Sequence, residues 1–441
     1  MLDAIIRTLG STAGAHDWSV QQAEKRQTQY YVIGSSIENS RRVHSERYLV
    51  TIMNDHPARD GSSQARGQAE VSILPGDLPD LQARLAQAVF MASLTDNPPY
   101  TLAGPVDYPS VPMADTEIQA APRELAEHTV EQLLDSLKRE RGVRLSSAEV
   151  FIEDSRIAFR NSAGAQGGKQ ETGLLLDFVL LAAGDGDEME SHVALQRRRH
   201  ADLDVPAVLA RHVQYARDAL VARMPRTGTF PVVISDEALA ELLMSEGHSP
   251  LLLRSSAQAK YQRISPWEVG QTVLPESLSG DEITIYSNSL LPFGARSGSF
   301  DNEGHPGRRT LILENGVLRA FWAPQRYAQY LNIPATGAFG NLELKPGSQP
   351  FSTLVQGEAP FYHVVSFSAM SPDPITGDFV GEIRLGYEVC DGGTHPIRGG
   401  SISGNLYAAL AKARLSRETA FLGDYLGPRA MLFEAITVAG A

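Results

Sequence analysis

Residues 298–318 read GSFDNEGHPGRRTLILENGVL, and this stretch carries most of the information about the fold. Glycine, proline and charged residues fill its first half, which is typical of a turn. An apolar run follows over 309–313 and a second one over 317–320. The stretch therefore predicts a turn that leads into two strands, a pattern of a β-rich domain.

Four charged residues lie close together in this turn, and they are the first candidates for chemistry: Asp301, Glu303, Arg308 and Arg309. Neighbouring carboxylates can serve as general acid and general base. Charged residues that form ion pairs within a turn give the same pattern. We favour this second interpretation, because nothing else in the stretch completes a catalytic arrangement.

The chain around this stretch is rich in strands and turns, and only two helices are predicted there, at about Glu237–Glu246 and Pro324–Leu331. The segment 225–228, PRTG, predicts a domain boundary. We therefore predict an α+β fold with two domains. The first is an N-terminal α+β domain over residues 1–225, and the second is a C-terminal, mostly-β domain over residues 226–441.

The N-terminal part mixes helical and strand patterns. Apolar residues at helical spacing predict helices at about Pro122–Arg141 and Val205–Met224. Residues 150–152 and 157–159 predict two strands of a hairpin, joined by a polar turn. The segment 95–112 is rich in proline and polar residues, which predicts a long surface loop.

The composition excludes several classes of protein. The 441 residues include 39 Lys and Arg against 52 Asp and Glu, and the formal net charge of −13 argues against a nucleic-acid-binding surface. The single cysteine, Cys390, excludes an internal disulfide and a cysteine-rich zinc cluster. No apolar run approaches the roughly 18 residues of a membrane-spanning helix, and the N-terminus lacks the pattern of a secretory signal. We expect a cytoplasmic protein that binds neither nucleic acid nor a membrane.

Known catalytic motifs are absent from the sequence. It has no phosphate-binding glycine loop and no G-x-S-x-G nucleophile motif. None of the 11 histidines has another histidine four or five residues away, the spacing of a helical zinc site. Cys390 and His395 are close enough in sequence to share a metal ion, but the turn between them predicts a hairpin, and a lone thiol in a strand is more often part of a core. The residues alone establish no complete catalytic site.

Longer segments resemble the TldD/PmbA family. The F-D-x-E-G turn at 300–304, the paired arginines after it and the following strand hairpin are similar to a hallmark of that family. The segments T-G-D-F at 376–379 and I-S-G-N-L at 402–406 are further matches, and they occur in the family's order. The resemblance covers most of the chain and is strongest over 295–441.

The resemblance implies a two-domain α+β subunit that dimerises around an enclosed chamber. The family pairs a zinc metalloprotease subunit of the TldD type with a PmbA-type subunit, also called TldE, that lacks the metal site. Such a pair resembles a protease for unfolded peptides, linked to maturation of a microcin precursor, to antitoxin turnover and to modulation of DNA gyrase.

The resemblance also implies where zinc ligands would lie. The family's catalytic subunit carries His-Glu-x-x-x-His on the helix after a P-V-V strand and a cysteine shortly before its last strand. The corresponding windows here are 244–249, which reads MSEGHS, and 419–430, which has no cysteine. Met244 and Ser249 are poor replacements for imidazole, and His248 is one position off, about 100° around a helix. The resemblance therefore implies no catalytic residue and no metal ligand in this chain.

We predict a PmbA/TldE-like subunit that binds unfolded peptides and helps a TldD-like partner to degrade or mature them. The partner would hold the zinc, and no cofactor is expected in this chain. The candidates for a substrate cleft are Phe300, Asp301, Glu303, Arg308, Arg309 and Asp378.

Two alternatives stay open. A self-sufficient metalloprotease would use displaced ligands, such as His248 together with Cys390 or His395. A homodimer of this chain would instead be a peptide-binding protein without proteolytic activity.

Overall fold

The computed structural model describes residues 1–59, 61, 63–184, 187–245, 249–274, 279–356, 360–390 and 393–440. The N-terminal part forms one antiparallel sheet, and the C-terminal part forms two further sheets. The fold is α+β, as the sequence predicts, and its C-terminal part is rich in strands. Among the described residues, no helix is long and apolar enough to cross a membrane.

The N-terminal sheet has the strand order β3-β2-β1-β4-β5-β6. Its strands are β1 (Asp17–Ile33), β2 (Ser36–Pro57), β3 (Gln64–Ile73), β4 (Val143–Asn161), β5 (Gln166–Ala183) and β6 (Glu188–Arg197). The helices of this part are α1 (Leu2–Ser11), α2 (Leu81–Ala92), α3 (Thr116–Ala120), α4 (Pro122–Leu137) and α5 (Val205–Val221).

The two faces of this sheet differ, because successive side chains of a strand point to opposite sides. Val150 of β4 lies opposite Tyr30 of β1 and Leu176 of β5, so that buried apolar residues of neighbouring strands share one face. α4 and α5 cover this face over β4, β5 and β6, and α1 and α2 cover it over β1, β2 and β3. The opposite face carries none of these helices and is available to the C-terminal part.

The C-terminal part begins with β7 (Gly228–Ser235) and ends with β19 (Ala430–Ala439). The strands between them are β8 (Ile285–Asn288), β9 (Arg309–Glu314), β10 (Val317–Leu318), β11 (Asn341–Leu344), β12 (Phe361–Pro372), β13 (Asp378–Cys390), β14 (Gly393–Ile397), β15 (Ser401–Asn405), β16 (Arg414–Leu415), β17 (Thr419–Leu422) and β18 (Tyr425–Pro428). The helices are α6 (Asp236–Met244), α7 (Pro250–Arg254), α8 (Ala257–Tyr261), α9 (Gln325–Leu331), α10 (Phe351–Leu354) and α11 (Leu406–Leu410).

Five of these strands close into a ring. The pairings run β7-β12-β13-β15-β19 and back to β7, and the β7–β12 pair is parallel. Closure leaves these strands without a long free edge. The other sheet, β10-β9-β8-β11-β18-β17, stays open and ends in β17. One apolar core packs both sheets together, with Ile234 and Phe433 of the ring and Leu342 of the open sheet all fully buried.

The helices predicted at about 122–141 and 205–224 are confirmed as α4 and α5, each of which ends a few residues earlier. The hairpin predicted for 150–152 and 157–159 is wrong, because these residues belong to the single long strand β4. The polar residues between them continue the ladder with both β1 and β5. Pairing with a strand on each side thus keeps this segment extended, although its composition is typical of a turn.

The expectation of only two helices after residue 226 is also wrong. α6 and α9 confirm the two that were predicted, but α7, α8, α10 and α11 are present as well. These helices have only four or five residues, too few for a helical period to be visible in the sequence. The predicted boundary at 225/226 falls between α5 and β7 and stays a prediction.

The buried carboxylate of Glu388 on β13 forms hydrogen bonds with the segment between α5 and β7. Glu388 is 2% exposed, and its two oxygens accept hydrogen bonds from Arg223 at 2.5 Å and Arg226 at 2.6 Å. Burial alone would raise the pKa of Glu388, but the hydrogen bonds from the two arginines outweigh it and hold the pKa below its ordinary value of 4.5.

Glu388→Gln is expected to lower the free energy of unfolding by about 2 kcal/mol at neutral pH, because a neutral amide replaces charge-assisted hydrogen bonds. The pKa of Glu388 is lower in the folded state than in the unfolded state. Its contribution is therefore present above pH 4.5 and is lost as the pH falls through the folded-state pKa. Urea unfolding at several pH values from neutral to acid checks this, and the two proteins should converge in acid.

The matched control is Glu314→Gln, which removes an exposed ion pair with Arg319 at 2.9 Å. This change should lower the free energy of unfolding by less than about 1 kcal/mol. A loss for Glu388→Gln that stays the same at every pH would contradict the assigned role of its charge.

Candidate functional site

The helix-free face of the N-terminal sheet packs against the turn between β8 and β9 through aromatic side chains. Phe300 of that turn is 4% exposed. Its ring lies 5.8 Å from the ring of Phe159 on β4 and 5.1 Å from that of Tyr108. Phe159 pairs with Gln21, whereas the neighbouring Val20 faces the helices, so Phe159 lies on the opposite face. The two parts of the chain are thus joined around Phe300.

The segment 95–112 is irregular and largely exposed, as predicted, and it also bridges the two parts of the chain. The Tyr108 hydroxyl donates a hydrogen bond to the carbonyl of Gly304 at 2.9 Å. The backbone N–H of Phe293 donates to the carbonyl of Pro112 at 2.8 Å. The turn at 298–308 is therefore held from two sides, by β4 and by this segment.

Asp301 determines the shape of the turn. One of its carboxylate oxygens accepts hydrogen bonds from the backbone N–H groups of Glu303 and His305, and the other accepts from Ala338, each at 2.9 Å. Asp301 is therefore a structural acceptor. Among the described residues no ion pair connects Asp301, Glu303, Arg308 and Arg309 with one another, so the favoured prediction of ion pairing within the turn is wrong. The reason is that the acidic side chains bind backbone N–H groups instead.

Close packing of the turn requires glycine at two positions. Gly304 has a φ of +80°, and a Cβ atom there would lie 2.5 Å from the Phe159 ring. Gly167 on β5 faces the Phe300 ring, and a Cβ there would lie 2.8 Å from it. A side chain at either position would push the turn away from the sheet.

Glu303 lies beside α9, which the N-terminal part holds in place. The Glu303 carboxylate accepts a hydrogen bond from the backbone N–H of Arg326 at 3.1 Å. The Arg326 guanidinium donates to Gln68 and Asn97 of the N-terminal part, at 3.2 and 2.8 Å. Burial raises the pKa of Glu303 to about 7, although the hydrogen bond from Arg326 lowers it in part. The carboxylate thus changes charge near neutral pH at the contact between the two parts.

The remaining predicted residues lie apart from Phe300 and Asp301. Arg309 forms a two-fold hydrogen bond with Glu343, at 2.8 Å for each contact, and lies 3.5 Å above the ring of Tyr286. The Arg308 side chain is exposed.

Asp378 lies at the hairpin between β12 and β13, where it accepts a hydrogen bond from Asn405 at 2.9 Å. The structure brings Phe300, Asp301 and Glu303 together, and Asp378 lines neither of the cavities beside the turn.

Two cavities lie between the helix-free face and the C-terminal part, and together we call them the interdomain cleft. The larger has a volume of about 410 Å³. Strands β1, β4, β5 and β6 lie on one side of it, and the loop at Phe293 and strand β17 with Phe421 lie on the other. The smaller has a volume of about 150 Å³ and lies beside Phe300 and Asp301. A cavity of the larger size is typical of a ligand pocket.

A charged cluster connects the two cavities. Lys169 lines the smaller one, and Glu171 and Arg198 line the larger one. One Glu171 oxygen lies 3.0 Å from the Arg198 guanidinium and 3.8 Å from the Lys169 ammonium. Sequence reasoning missed all three residues. Lys169 and Glu171 are two residues apart on β5, so their side chains point to the same face. The sequence would have shown this only if β5 had been predicted to begin before residue 174, where the apolar run starts.

In the window that the sequence resemblance aligns with the family's zinc motif, Met244 and Ser249 have other roles. Met244 is 7% exposed and packs in the apolar core. The Ser249 hydroxyl donates to the carbonyl of Leu243 at 2.7 Å and caps α7. His248, one of the displaced ligands considered above, lies outside the described residues. Within the described ranges, no three His, Cys, Asp or Glu side chains converge as metal ligands.

The other displaced ligands lie in the hairpin of β13 and β14. Cys390 is opposite Gly393, and its thiol lies 3.7 Å from the carbonyl of that residue. His395 is opposite Glu388, whose carboxylate is already bound by two arginines. This hairpin therefore offers no free carboxylate at Glu388 to complete a metal site.

The fold as a whole is that of a TldE-type protein. The crystal structure of TldE from Thermococcus kodakarensis superposes with a TM-score of 0.82 and covers 100% of both chains, at 18% sequence identity. Residues 227–440 match the family model described as the PmbA/TldA metallopeptidase C-terminal domain. The C-terminal part of the chain therefore belongs to the PmbA/TldD family, which confirms the resemblance predicted from the sequence.

Several curated relatives are named as metalloproteases. A zinc metalloprotease TldD homolog from Saccharolobus solfataricus is 25% identical, over 53% of this chain and 54% of its own length. Metalloprotease PmbA from Escherichia coli O157:H7 is 26% identical, over 56% of this chain and 54% of its own length. The chain thus spans about half the length of these two relatives.

The raised pKa of Glu303 predicts a pH-dependent stability. The folded-state pKa of about 7 lies above the ordinary value of 4.5, so Glu303 favours the folded state most at low pH, and this contribution is lost as the pH rises through 7. Glu303→Gln resembles the protonated form. The substitution should raise the free energy of unfolding by about 1–2 kcal/mol at pH 8 and leave it nearly unchanged at about pH 5.

Urea unfolding at the two pH values measures this difference. The control is Glu434→Gln, because Glu434 is exposed and has no ion-pair partner among the described residues. Equal effects of Glu303→Gln at both pH values would show that its charge has no special role at the contact.

Proposed function

We propose that the chain is the non-metal subunit of a two-subunit protease of the TldD/TldE type, and that its interdomain cleft holds an extended, unfolded peptide. The observation that carries the proposal is the larger cavity, which is bordered by the free edge of a strand. The proposed TldD-like partner holds the zinc ion and cleaves the peptide.

The free edge belongs to β17. This strand pairs with β18 on one side and ends the open sheet on the other, within the described part of the chain. Phe421 of β17 and Gly423 of the following turn line the larger cavity. An extended peptide that adds to a free edge gains main-chain hydrogen bonds whatever its sequence. This mode of binding suits a protein that receives unfolded chains.

The charges that line the larger cavity are largely paired with one another. Lys25 lies 2.8 Å from Glu153, and Arg198 lies 3.0 Å from Glu171. Phe151 and Leu175 add apolar surface between these pairs. A surface of paired ions and apolar side chains favours contact with many peptide sequences over selection of one charge pattern.

The window aligned with the family's zinc motif supports the proposal that the partner holds the metal and this chain binds the peptide. Met244 is committed to the core and Ser249 to a helix cap, so neither is available as a ligand. One relative that matches about half of this chain is named a zinc metalloprotease TldD homolog. We infer that the metal chemistry resides in such a partner and that this chain contributes the peptide-binding cleft.

Peptide binding is tested with Phe421→Ser. The Phe421 ring borders the larger cavity, and a bound peptide would bury it further, so its loss should weaken binding about tenfold. The measurement is the fluorescence anisotropy of a labelled, unfolded peptide. Phe90→Ser is the matched control, because Phe90 is 62% exposed on α2, away from the cleft. An unchanged affinity of a correctly folded Phe421→Ser protein would contradict binding in this cavity.

The subunit role is tested by mixing the purified chain with a TldD-like protein from the same organism. Cleavage of an unfolded peptide should need both proteins, and zinc should be found with the partner. Chelator-sensitive cleavage by this chain alone, with about one zinc ion per chain, would instead establish a self-sufficient metalloprotease. A stable homodimer that binds peptide and gains no activity with the partner would establish a binding protein without proteolytic function.

A further inference from the structure

We propose that the smaller cavity of the interdomain cleft is a subsite for a carboxylate group of the bound peptide, and that the ammonium group of Lys169 anchors it. The carboxylate is either the peptide's C-terminus or an acidic side chain. This inference rests on the proposed peptide-binding function and adds a chemical preference to it.

Lys169 is a partly buried cation that lacks a hydrogen-bond partner among the described residues. Its side chain is 15% exposed, and the nearest carboxylate oxygen, on Glu171, lies 3.8 Å away, beyond hydrogen-bond distance. No other acceptor binds its ammonium group among the described residues. The ammonium lies 5.8 Å from the centre of the Phe300 ring. A charged donor in such a place loses its water without gaining a full replacement.

The two acidic residues near Lys169 are already engaged. Glu171 lies 3.0 Å from the guanidinium of Arg198. Asp301 accepts three hydrogen bonds from backbone N–H groups. Asp301 would lose these hydrogen bonds if it turned toward Lys169. Glu171 would lose its ion pair with Arg198, although the Glu171 oxygen in that pair makes no hydrogen bond. The charge of the ammonium therefore stays available to a ligand in the smaller cavity.

The cavity has the size and the lining for a carboxylate. Its volume of about 150 Å³ is enough for a small group and too little for a folded segment. Ser289 and Asn302 also line it, and neither side chain has a hydrogen-bond partner among the described residues. These groups supply neutral donors next to Lys169. The other cation that lines the cavity, Arg296, is paired with Asp424 at 2.8 Å. Glu171 and Asp301 lie close by and disfavour a dianion such as phosphate, so a single carboxylate is the better match.

Burial also lowers the pKa of Lys169 from its ordinary value of 10.5. The cause is that the charged form is poorly solvated at this partly buried position. A bound carboxylate would favour the charged form again, because an ion pair in a poorly solvated site is held more strongly than one in water. Peptide binding and protonation of Lys169 are therefore expected to support each other.

The test compares three acetylated probe peptides on the full-length chain by calorimetry. The first is Ac-Ala-Ala-Phe with a free C-terminus, the second is its C-terminal amide, and the third is Ac-Ala-Glu-Ala amide, which carries only a side-chain carboxylate. At least one carboxylate peptide should bind about tenfold more tightly than the amide without a carboxylate. The first and third peptides show which source of the carboxylate the cavity accepts.

Substitutions assign the preference to Lys169. Lys169→Met should abolish the tenfold difference between the carboxylate and amide peptides, and Lys169→Arg should retain part of it. Lys345→Met is the matched control, because the Lys345 side chain is 61% exposed and lies outside the cleft. It should leave the difference unchanged. A preference that survives Lys169→Met in a folded protein would overturn the proposal.

A second readout needs no variant. Reductive methylation followed by mass spectrometry measures the reactivity of each lysine, and the carboxylate peptide should slow methylation of Lys169 at least threefold without affecting Lys345. Equal binding of all three peptides, or no binding of any, overturns the carboxylate subsite. If long unfolded chains still bind, the proposed function survives this failure. If the short carboxylate peptides bind at Lys169 but long unfolded chains do not, the subsite survives and the proposed function fails.

Discussion

The contact between the two parts of the chain depends on the carboxylate of Asp301. It accepts three backbone hydrogen bonds, from Glu303, His305 and Ala338. Buried backbone N–H groups need such acceptors. With the turn held in this shape, Phe300 is buried against the helix-free face of the N-terminal sheet. Phe300 and Asp301 line the smaller cavity of the interdomain cleft, so the shape of that cavity depends on this contact.

Much of the fold was predictable because it follows from local patterns. α4 and α5 have an apolar face at helical spacing, and their burial confirms it. The length of the N-terminal strands was not predictable in the same way. β4 runs through a polar stretch that resembles a turn, and only the ladders with β1 and β5 hold that stretch extended. The short helices α7 and α8 depend on capping by Ser249 and Ser256 and show no period.

The candidate site was predictable only in part. The sequence singled out Phe300 and Asp301 through a turn whose pattern resembles the TldD/PmbA family, and both lie at the cleft. No local pattern pointed to Lys169 or Arg198 as site residues. These residues are at least 100 positions from the turn in sequence, and the pairing of β5 and the packing of the sheet bring them next to it. Glu303 was a candidate for its charge, but its raised pKa comes from burial, which a local pattern does not reveal.

Hydrogen–deuterium exchange of the purified chain, with and without a saturating unfolded peptide, tests most directly whether the interdomain cleft is the peptide site. We expect slower exchange of backbone amides in β17, at Thr419–Leu422, because a peptide that adds to this free edge would take up its outward-facing groups. The helix-covered core should change little. Protection confined to other surfaces, with no change at β17, would contradict peptide binding in the cleft.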